Sequence, residues 1–321
     1  MVRMTPVGLS KSKVMNGLQC SKLLWIQVHQ PELVEYGPGA QRIFAMGHEV
    51  GRIAQALHPG GALVGPEHDG PLRRGDLRAA EDETRRLLSE PGDRVIYEAT
   101  FTHDGVLVRT DLFFREAGRS RFTEVKGGTS VEKYHVQDAA IQAWVLRGSG
   151  VPVHEIRLAH IDSGFVYEGN GEYSGLLVEH DITGKVEALV PQVAGQVEAL
   201  RAMLAGKLRD VPVGPQCTNP HECPLYDHCR ECGDDHHVGY LPGSKAVHRD
   251  LQLEGYVRIR DVPPGRLTAP QQVRVWRATV ADEPETDPAI HDRMRSLPYP
   301  RYYFDFETIN FAAPIWPGSR P

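Results

Sequence analysis

The stretch RVIYEATFTHDGVLVRTDLFFREAGRSRFTEVK, residues 94–126, decides the fold of this chain. Its β-branched and aromatic residues concentrate in three runs, at 94–102, 106–115 and 121–126, which is typical of strands. His103-Asp104-Gly105 separates the first two runs, and an Asp-Gly pair between apolar runs is a strong hairpin signal. A second turn is predicted at 116–120. The stretch therefore predicts a three-stranded antiparallel meander.

Helical periodicity flanks this meander on both sides. Ser10 is a good N-cap for a first helix that includes Cys20 and the residues 23–26. Apolar spacing predicts further helices over 40–57, 76–88, 136–146 and 181–204, the last kinked at Pro191, and a strand over 155–161. Strands followed by a helix and another strand predict an α/β fold with a central mixed sheet flanked by helices.

Two carboxylates and one lysine are expected to converge in the meander. Residues two apart point to the same face of a strand, so Glu124 and Lys126 project together, and Asp111 lies on the neighbouring strand. Asp111, Glu124 and the carbonyl of Val125 offer hard oxygen ligands for Mg²⁺ or Mn²⁺. Such an ion acidifies water and neutralises a phosphate, and Lys126 can stabilise the charge that develops during hydrolysis. The alternative is a solvated strand face with a charge pair, because Glu-x-Lys is a common tripeptide.

The order of these residues resembles the RecB-like branch of the PD-(D/E)XK nuclease superfamily. The resemblance is carried by Tyr97-Glu98-Ala99, Val108-Arg109-Thr110-Asp111-Leu112 and Phe122-Thr123-Glu124-Val125-Lys126-Gly127, preceded by Gly47-His48-Glu49. It implies a restriction-endonuclease-like core and metal-dependent cleavage of DNA, at ends or in single strands. It also implies that His48 is a further metal ligand, and that a helicase or other repair or defence proteins are partners. Without the resemblance, a lone histidine on a helix would be read as an ordinary surface or core residue.

The helix after the lysine strand carries Asp138 and Gln142, four residues apart and so on one face. The RecB-like nucleases have a glutamine and a tyrosine at this spacing, and this sequence departs from that pattern. Two interpretations remain open. The pair orients Lys126 or contacts the DNA backbone, or it occupies ordinary polar positions of an amphipathic helix. A related alternative for the whole chain is a catalytically inactive nucleic-acid-binding scaffold with a structural zinc site.

The chain has five cysteines, four of them within sixteen residues. RecB-like nucleases that carry a cluster, including CRISPR-associated exonucleases and AddB-type subunits, combine one early cysteine with three late ones. The resemblance therefore implies a [4Fe–4S] cluster held by Cys20, Cys217, Cys223 and Cys229. Local zinc is the alternative, with Cys232 in place of Cys20, because spacing alone does not separate the two metals. Four histidines nearby are further zinc candidates: His221, His228, His236 and His237.

The C-terminal part of the chain predicts a change of domain. We expect a nuclease domain over residues 1–232, a connector over 233–300 with a short strand-like piece at 256–259, and the start of a second domain over 301–321. A strand predicted at 302–308 places Asp305 and Glu307 on one face and resembles the first motif of DEDD-type exonucleases, which have an RNase H-like fold. That fold needs further carboxylates downstream of Pro321, so we predict no catalysis from this pair.

Composition narrows the class of protein further. With 321 residues, 40% hydrophobic residues and 24% charged residues, the sequence is typical of a globular chain. Its net charge of −6 argues against coating nucleic acid by bulk electrostatics, although a nuclease needs only a local basic groove. No apolar stretch is long enough for a membrane span and no signal peptide is evident, so a cytoplasmic location is expected.

Overall fold

A computed structural model describes residues 8–65, 73–229, 236–306 and 310–321. The chain divides into two compact units, Met1–Arg209 with Asn310–Pro321, and Asp210–Ile309. The sequence-based boundaries differ from this division. Residues 210–232 belong to the second unit, and the last twelve residues belong to the first, because backbone hydrogen bonds join Tyr167 to Ser319 and Gly318.

The first unit contains a mixed sheet, seven-stranded within the described residues. Six strands follow the order β2 (Ala62–Leu63), β3 (Arg94–His103), β4 (Val106–Glu116), β5 (Arg119–Lys126), β6 (Glu155–Ile161) and β7 (Leu177–Asp181), and β1 (Leu9–Ser10) pairs with β4. The β1–β4, β2–β3 and β5–β6 pairs are parallel, and the others are antiparallel. The predicted meander and the β6 strand are confirmed. Both hairpins turn through two residues with positive φ, at Asp104-Gly105 and Ala117-Gly118, as right-twisted strands require.

Helices lie on both faces of this sheet. They are α1 (Lys11–Gln19), α2 (Ser21–His29), α3 (Pro38–Ala56), α4 (Arg74–Ser89), α5 (Lys133–Gly148), α6 (Thr183–Glu187) and α7 (Val190–Leu204). The main core joins α5 and α7 to one face of the strands through residues such as Ile141, Val197 and Phe122. On the other face, Ala54 of α3 packs with Leu112 and Phe114. The predicted mixed sheet flanked by helices is therefore confirmed.

Two predicted helices were wrong in extent. The first is divided at Cys20, whose extended backbone (φ −154°, ψ 117°) ends α1 and precedes α2. The helix predicted over 181–204 is two helices, α6 and α7, after strand β7. Pro191 lies in the first turn of α7, where its missing N–H group leaves no helical hydrogen bond unmade, so it begins a helix instead of kinking one.

The second unit is built from short helices: α8 (Tyr226–Cys229), α9 (Lys245–Leu253), α10 (Pro270–Ala281) and α11 (Ala289–Ser296). Its core contains Val238, Leu251 and Ile259. The strand-like piece expected at 256–259 is reduced to one bridge between Arg258 and His237. The strand predicted over 302–308 is absent from 302–306, where Phe304 and other aromatic side chains are exposed and no partner strand satisfies the backbone. Residues 307–309, including Glu307, lie outside the described residues.

No helix in the described ranges combines the length and the apolar character that a bilayer crossing requires.

Phe122 tests the core of the first unit. It is fully buried and directly opposite Phe113 across β4 and β5. We expect Phe122→Ala to lower the free energy of unfolding by about 3–5 kcal/mol, because it leaves a cavity beneath α5. Denaturant unfolding followed by circular dichroism measures this. Tyr303→Ala, at a side chain 84% exposed, is the control and should change little; equal effects of the two substitutions would contradict the described core.

Candidate active site

The candidate site lies where β4 and β5 separate. Their pairing runs from Glu116 with Arg119 to Leu112 with Thr123 and then stops, while β1 takes the position beside β4 at Val106. Asp111 lies just beyond the last pair, and its Oδ2 accepts a hydrogen bond of 2.6 Å from the backbone N–H of Val125. A carboxylate therefore bridges the opening between the two strands.

Glu98 lies between the pairs Tyr97–Leu112 and Ala99–Thr110 of the β3–β4 register, where the regular pairing is interrupted, and it was not foreseen as a site residue. Its backbone is left-handed, at φ 56°, inside a strand. The alternation of side chains breaks here, because Ile96 and Ala99 face the same core although they are three residues apart. A non-glycine residue held in this region is strained by about 1–3 kcal/mol, and such strain is concentrated at functional sites. The available sequence signal was a glutamate between Tyr97 and Ala99, in the middle of a strand rich in β-branched and aromatic residues.

Glu124 is the buried centre of the cluster, with 2% of its side chain exposed. Its Oε1 accepts hydrogen bonds from Lys126 Nζ at 2.7 Å and from Lys11 Nζ at 2.9 Å, and its Oε2 accepts one from Gln142 Nε2 at 2.6 Å. Burial acts to raise the pKa of Glu124, but the charges and hydrogen bonds of the two lysines outweigh it and hold that pKa below its ordinary value. The carboxylate is therefore ionised.

Asp138 connects the two lysines. Its Oδ1 lies 3.0 Å from Lys11 Nζ, and its Oδ2 lies 2.7 Å from Lys126 Nζ. Gln142, one turn later on α5, contacts both Glu124 and Asp138 through Nε2. Both α5 residues are buried, so they are not ordinary polar positions on a solvated helix face. The contacts match the interpretation in which this pair orients Lys126.

The cluster carries an excess of negative charge around Asp111. Burial and the neighbouring charges of Glu124 and Glu98 raise the pKa of Asp111 well above its ordinary value, and the lysines only partly oppose this. Arg109 Nη2 lies 3.4 Å from Glu98 Oε2. A buried carboxylate without a full complement of positive charge fits a cation site, and the donors are oxygens of the kind that Mg²⁺ and Mn²⁺ prefer.

Lys11 was not predicted as a site residue. The predicted metal ligands, for their part, lie less close together than expected. Lys11 directly follows the predicted N-cap Ser10, and nothing in the local sequence reveals that its ammonium enters the sheet. His48 lies on α3 with an exposed side chain and within electrostatic range of Glu98. Among the described residues, no three His, Cys, Asp or Glu side chains are already arranged to hold a metal ion. Metal binding by Asp111, Glu124, His48 and the Val125 carbonyl therefore stays a prediction.

The cysteines fall in both units. Cys20 belongs to the first unit, at the junction of α1 and α2. In the second unit, Cys217 and Cys223 are buried and are linked by a 2.8 Å backbone hydrogen bond, and Cys229 ends α8. Three thiols of the predicted cluster therefore lie within one short segment. Cys232 lies outside the described residues, so the cluster and the zinc alternative both stay open.

Comparison with known proteins adds little to this geometry. No family model and no curated protein matches the chain. Among solved structures, the crystal structure of SSO0001 is similar over 72% of this chain and 89% of that chain, at 11% identity and a TM-score of 0.35. The assignment of the site therefore depends on its own residues.

The raised pKa of Asp111 predicts a pH-dependent stability. The folded metal-free protein keeps this proton at pH values where the unfolded chain has lost it, so stability falls as the pH rises from the ordinary carboxyl range through the raised pKa. We expect Asp111→Asn to remove this loss and to increase the Tm near neutral pH by a few degrees, since about 1 kcal/mol shifts the Tm by about 2–4 °C in a unit of this size.

Thermal scans of the chelator-treated protein between pH 4 and pH 8 check this expectation. The advantage of Asp111→Asn should grow with pH, and Asp292→Asn, at an exposed aspartate, is the matched control. A constant or shrinking difference would contradict the proposed charge excess.

Proposed function

We propose that this protein is a Mg²⁺- or Mn²⁺-dependent DNA nuclease with a PD-(D/E)XK-type core. The observation that carries the proposal is the group formed by the buried Glu124 and the half-buried Asp111 and Lys126 at the separation of β4 and β5. Two carboxylates and a lysine at one opening in a mixed sheet suit phosphodiester hydrolysis, because that reaction needs a cation and a positively charged group beside the phosphate.

The chain itself provides the residues that would hold the cation. Asp111 and Glu124 offer carboxylate oxygens, the Val125 N–H contacts Asp111 and its carbonyl is a further oxygen donor, and His48 and Glu98, which interact electrostatically, are the remaining proposed ligands. When bound, a divalent ion supplies positive charge to the phosphate and acidifies water at the site.

Lys126 has the best-defined role in the proposed reaction. It is held by Glu124 and Asp138, and burial acts to lower its pKa while these carboxylates raise it well above the ordinary value. The side chain is therefore an ammonium and cannot act as a general base. It instead orients the attacking water or stabilises the negative charge that develops on the phosphate. Asp138 keeps this ammonium in place, and Gln142 donates hydrogen bonds to the carboxylates of Glu124 and Asp138 that contact it.

An inactive nucleic-acid-binding scaffold is the alternative function. Burying this many charged groups is unfavourable unless they are paired, and a scaffold has no need of a carboxylate with a raised pKa. The charge excess therefore supports catalysis over a scaffold. DNA ends or single strands are the proposed substrates.

The nuclease proposal predicts a large effect at Lys126. We expect Lys126→Met to reduce Mn²⁺-dependent cleavage of labelled single-stranded DNA by about 10²–10³-fold, as for the loss of one group that stabilises transition-state charge. Single-turnover assays measure the loss, and circular dichroism checks the fold. Lys185→Met, at an exposed lysine on α6, is the matched control and should retain activity. Absence of cleavage by the wild-type chain, or equal cleavage by Lys126→Met, would reject the nuclease proposal.

We also propose that Cys20, Cys217, Cys223 and Cys229 hold a [4Fe–4S] cluster with a structural role. Four thiolates suit this cluster, and the burial of Cys217 and Cys223 protects it from solvent. Hydrolysis requires no electron transfer, so the cluster is expected to stabilise the chain and to take no part in the reaction.

Two cysteine substitutions separate iron–sulfur from zinc. Under the cluster proposal, anaerobically purified protein is brown and contains iron and sulfide, Cys20→Ala loses both, and Cys232→Ala keeps them. Local zinc predicts the reverse pattern, with metal retained in Cys20→Ala and lost in Cys232→Ala. Visible absorption together with metal and sulfide analysis distinguishes the two, and a colourless protein with stoichiometric zinc would overturn the cluster.

A further inference from the structure

Lys11 reaches the active-site cluster because three local features determine its position. β1 pairs in parallel with β4, and Leu9 N donates a hydrogen bond of 3.0 Å to the Gly105 carbonyl. Ser10 then caps the next helix by accepting a hydrogen bond from Lys13 N, so α1 begins at Lys11. The chain thus turns from strand to helix beside the opening between β4 and β5.

The contacts of Lys11 are those of an active-site cation. Its ammonium lies 2.9 Å from Glu124 Oε1 and 3.0 Å from Asp138 Oδ1, and 19% of its side chain is exposed. These carboxylates lie on β5 and α5, more than a hundred residues away in the sequence. Lys11 and Lys126 therefore share one oxygen of Glu124, and Asp138 offers a separate oxygen to each lysine.

Because Lys11 and Lys126 share Glu124 Oε1, a divalent cation that binds Glu124 would change the contacts of both lysines. Glu124 Oε1 accepts hydrogen bonds from both lysines and Oε2 accepts one from Gln142, so an ion bound at Oε1 would compete with the two ammonium groups. Asp138 would keep both lysines at the site, because its Oδ1 contacts Lys11 and its Oδ2 contacts Lys126. Each ammonium group would then have one contact fewer and could accept a new anionic partner.

The balance of formal charge indicates which partner fits. With all groups ionised, the four carboxylates (Glu98, Asp111, Glu124 and Asp138) exceed the three cations (Lys11, Lys126 and Arg109) by one charge. A divalent ion converts this excess into one positive charge, which matches the single negative charge of a phosphodiester. Without Lys11 the loaded site would be neutral and would attract the substrate less.

We propose that Lys11 is a second active-site lysine, which neutralises Glu124 in the metal-free protein and, held by Asp138, binds a substrate phosphate once a divalent ion occupies Glu124. This inference rests on the proposed nuclease function and adds to it a phosphate contact from the N-terminal helix. A purely structural ion pair between α1 and the sheet would explain the burial of Lys11 but predicts no effect on ion or phosphate binding.

The test compares Lys11→Met and Lys11→Arg with Lys13→Met, the same substitution at a lysine of α1 that makes none of the ion pairs of the site. Calorimetry measures Mn²⁺ binding to the full chain without DNA. A single-stranded oligonucleotide is then titrated in Ca²⁺, and cleavage is measured in Mn²⁺. If Lys11→Met does not fold, Lys11→Gln replaces it, because glutamine keeps a hydrogen-bond donor without the charge.

We expect Lys11→Met to bind Mn²⁺ more tightly, because the ion no longer competes with this ammonium. Its oligonucleotide affinity and its kcat should each fall by about tenfold, the usual effect of one lost hydrogen bond between charged groups. Lys11→Arg keeps the charge and should retain most of the oligonucleotide affinity. Lys13→Met should match the wild type in all three measurements.

Two outcomes would overturn the inference. Wild-type Mn²⁺ and oligonucleotide affinities in the folded Lys11→Met protein would show that Lys11 is only a structural ion pair. Weaker Mn²⁺ binding would show that Lys11 supports Glu124 and does not compete for it. If the wild-type chain cleaves no DNA, the nuclease proposal fails separately, and the Mn²⁺ titration still decides whether Lys11 competes with the ion.

Discussion

The buried charge of Glu124 is the interaction on which the rest of the site depends. An ionised carboxylate away from water is very unfavourable unless cations and hydrogen-bond donors surround it. Here those groups come from three elements of the fold, Lys11 at the start of α1, Lys126 on β5 and Gln142 on α5. Each element is therefore constrained by the same carboxylate, and loss of one donor would leave the charge of Glu124 less well compensated.

The sheet departs from regular pairing where this charge is accommodated. β5 leaves β4 after Thr123, and the left-handed backbone of Glu98 breaks the alternation of β3 at the same level. Both irregularities direct carboxylates into one opening instead of into the core. Regular strands on either side, with Phe113, Phe122 and Ile141 packed beneath, hold the irregular segment in place. The well-packed strands thus stabilise the strained backbone of Glu98.

The net negative charge of the chain does not conflict with the proposed nucleic-acid substrate. The overall charge of −6 describes the whole surface, whereas the proposed reaction depends on a few buried groups whose local balance changes sign when a divalent ion binds. The lysines that balance Glu124 in the metal-free protein are the same groups that are proposed to face the phosphate afterwards. The cluster proposed for the cysteines is independent of this chemistry, because phosphodiester hydrolysis requires no electron transfer.

The sequence by itself determined the meander and the chemical nature of the candidate site residues. Strand composition and an Asp-Gly turn predicted the meander, and the two-residue period of a strand placed Glu124 beside Lys126, because both patterns depend on neighbouring residues. Tertiary structure alone decided the participation of Lys11 and Glu98, the split helix at Cys20 and the absence of a strand at 302–306. These features arise from contacts across more than a hundred residues, from backbone strain, or from whether a partner strand is present, and no local pattern encodes them.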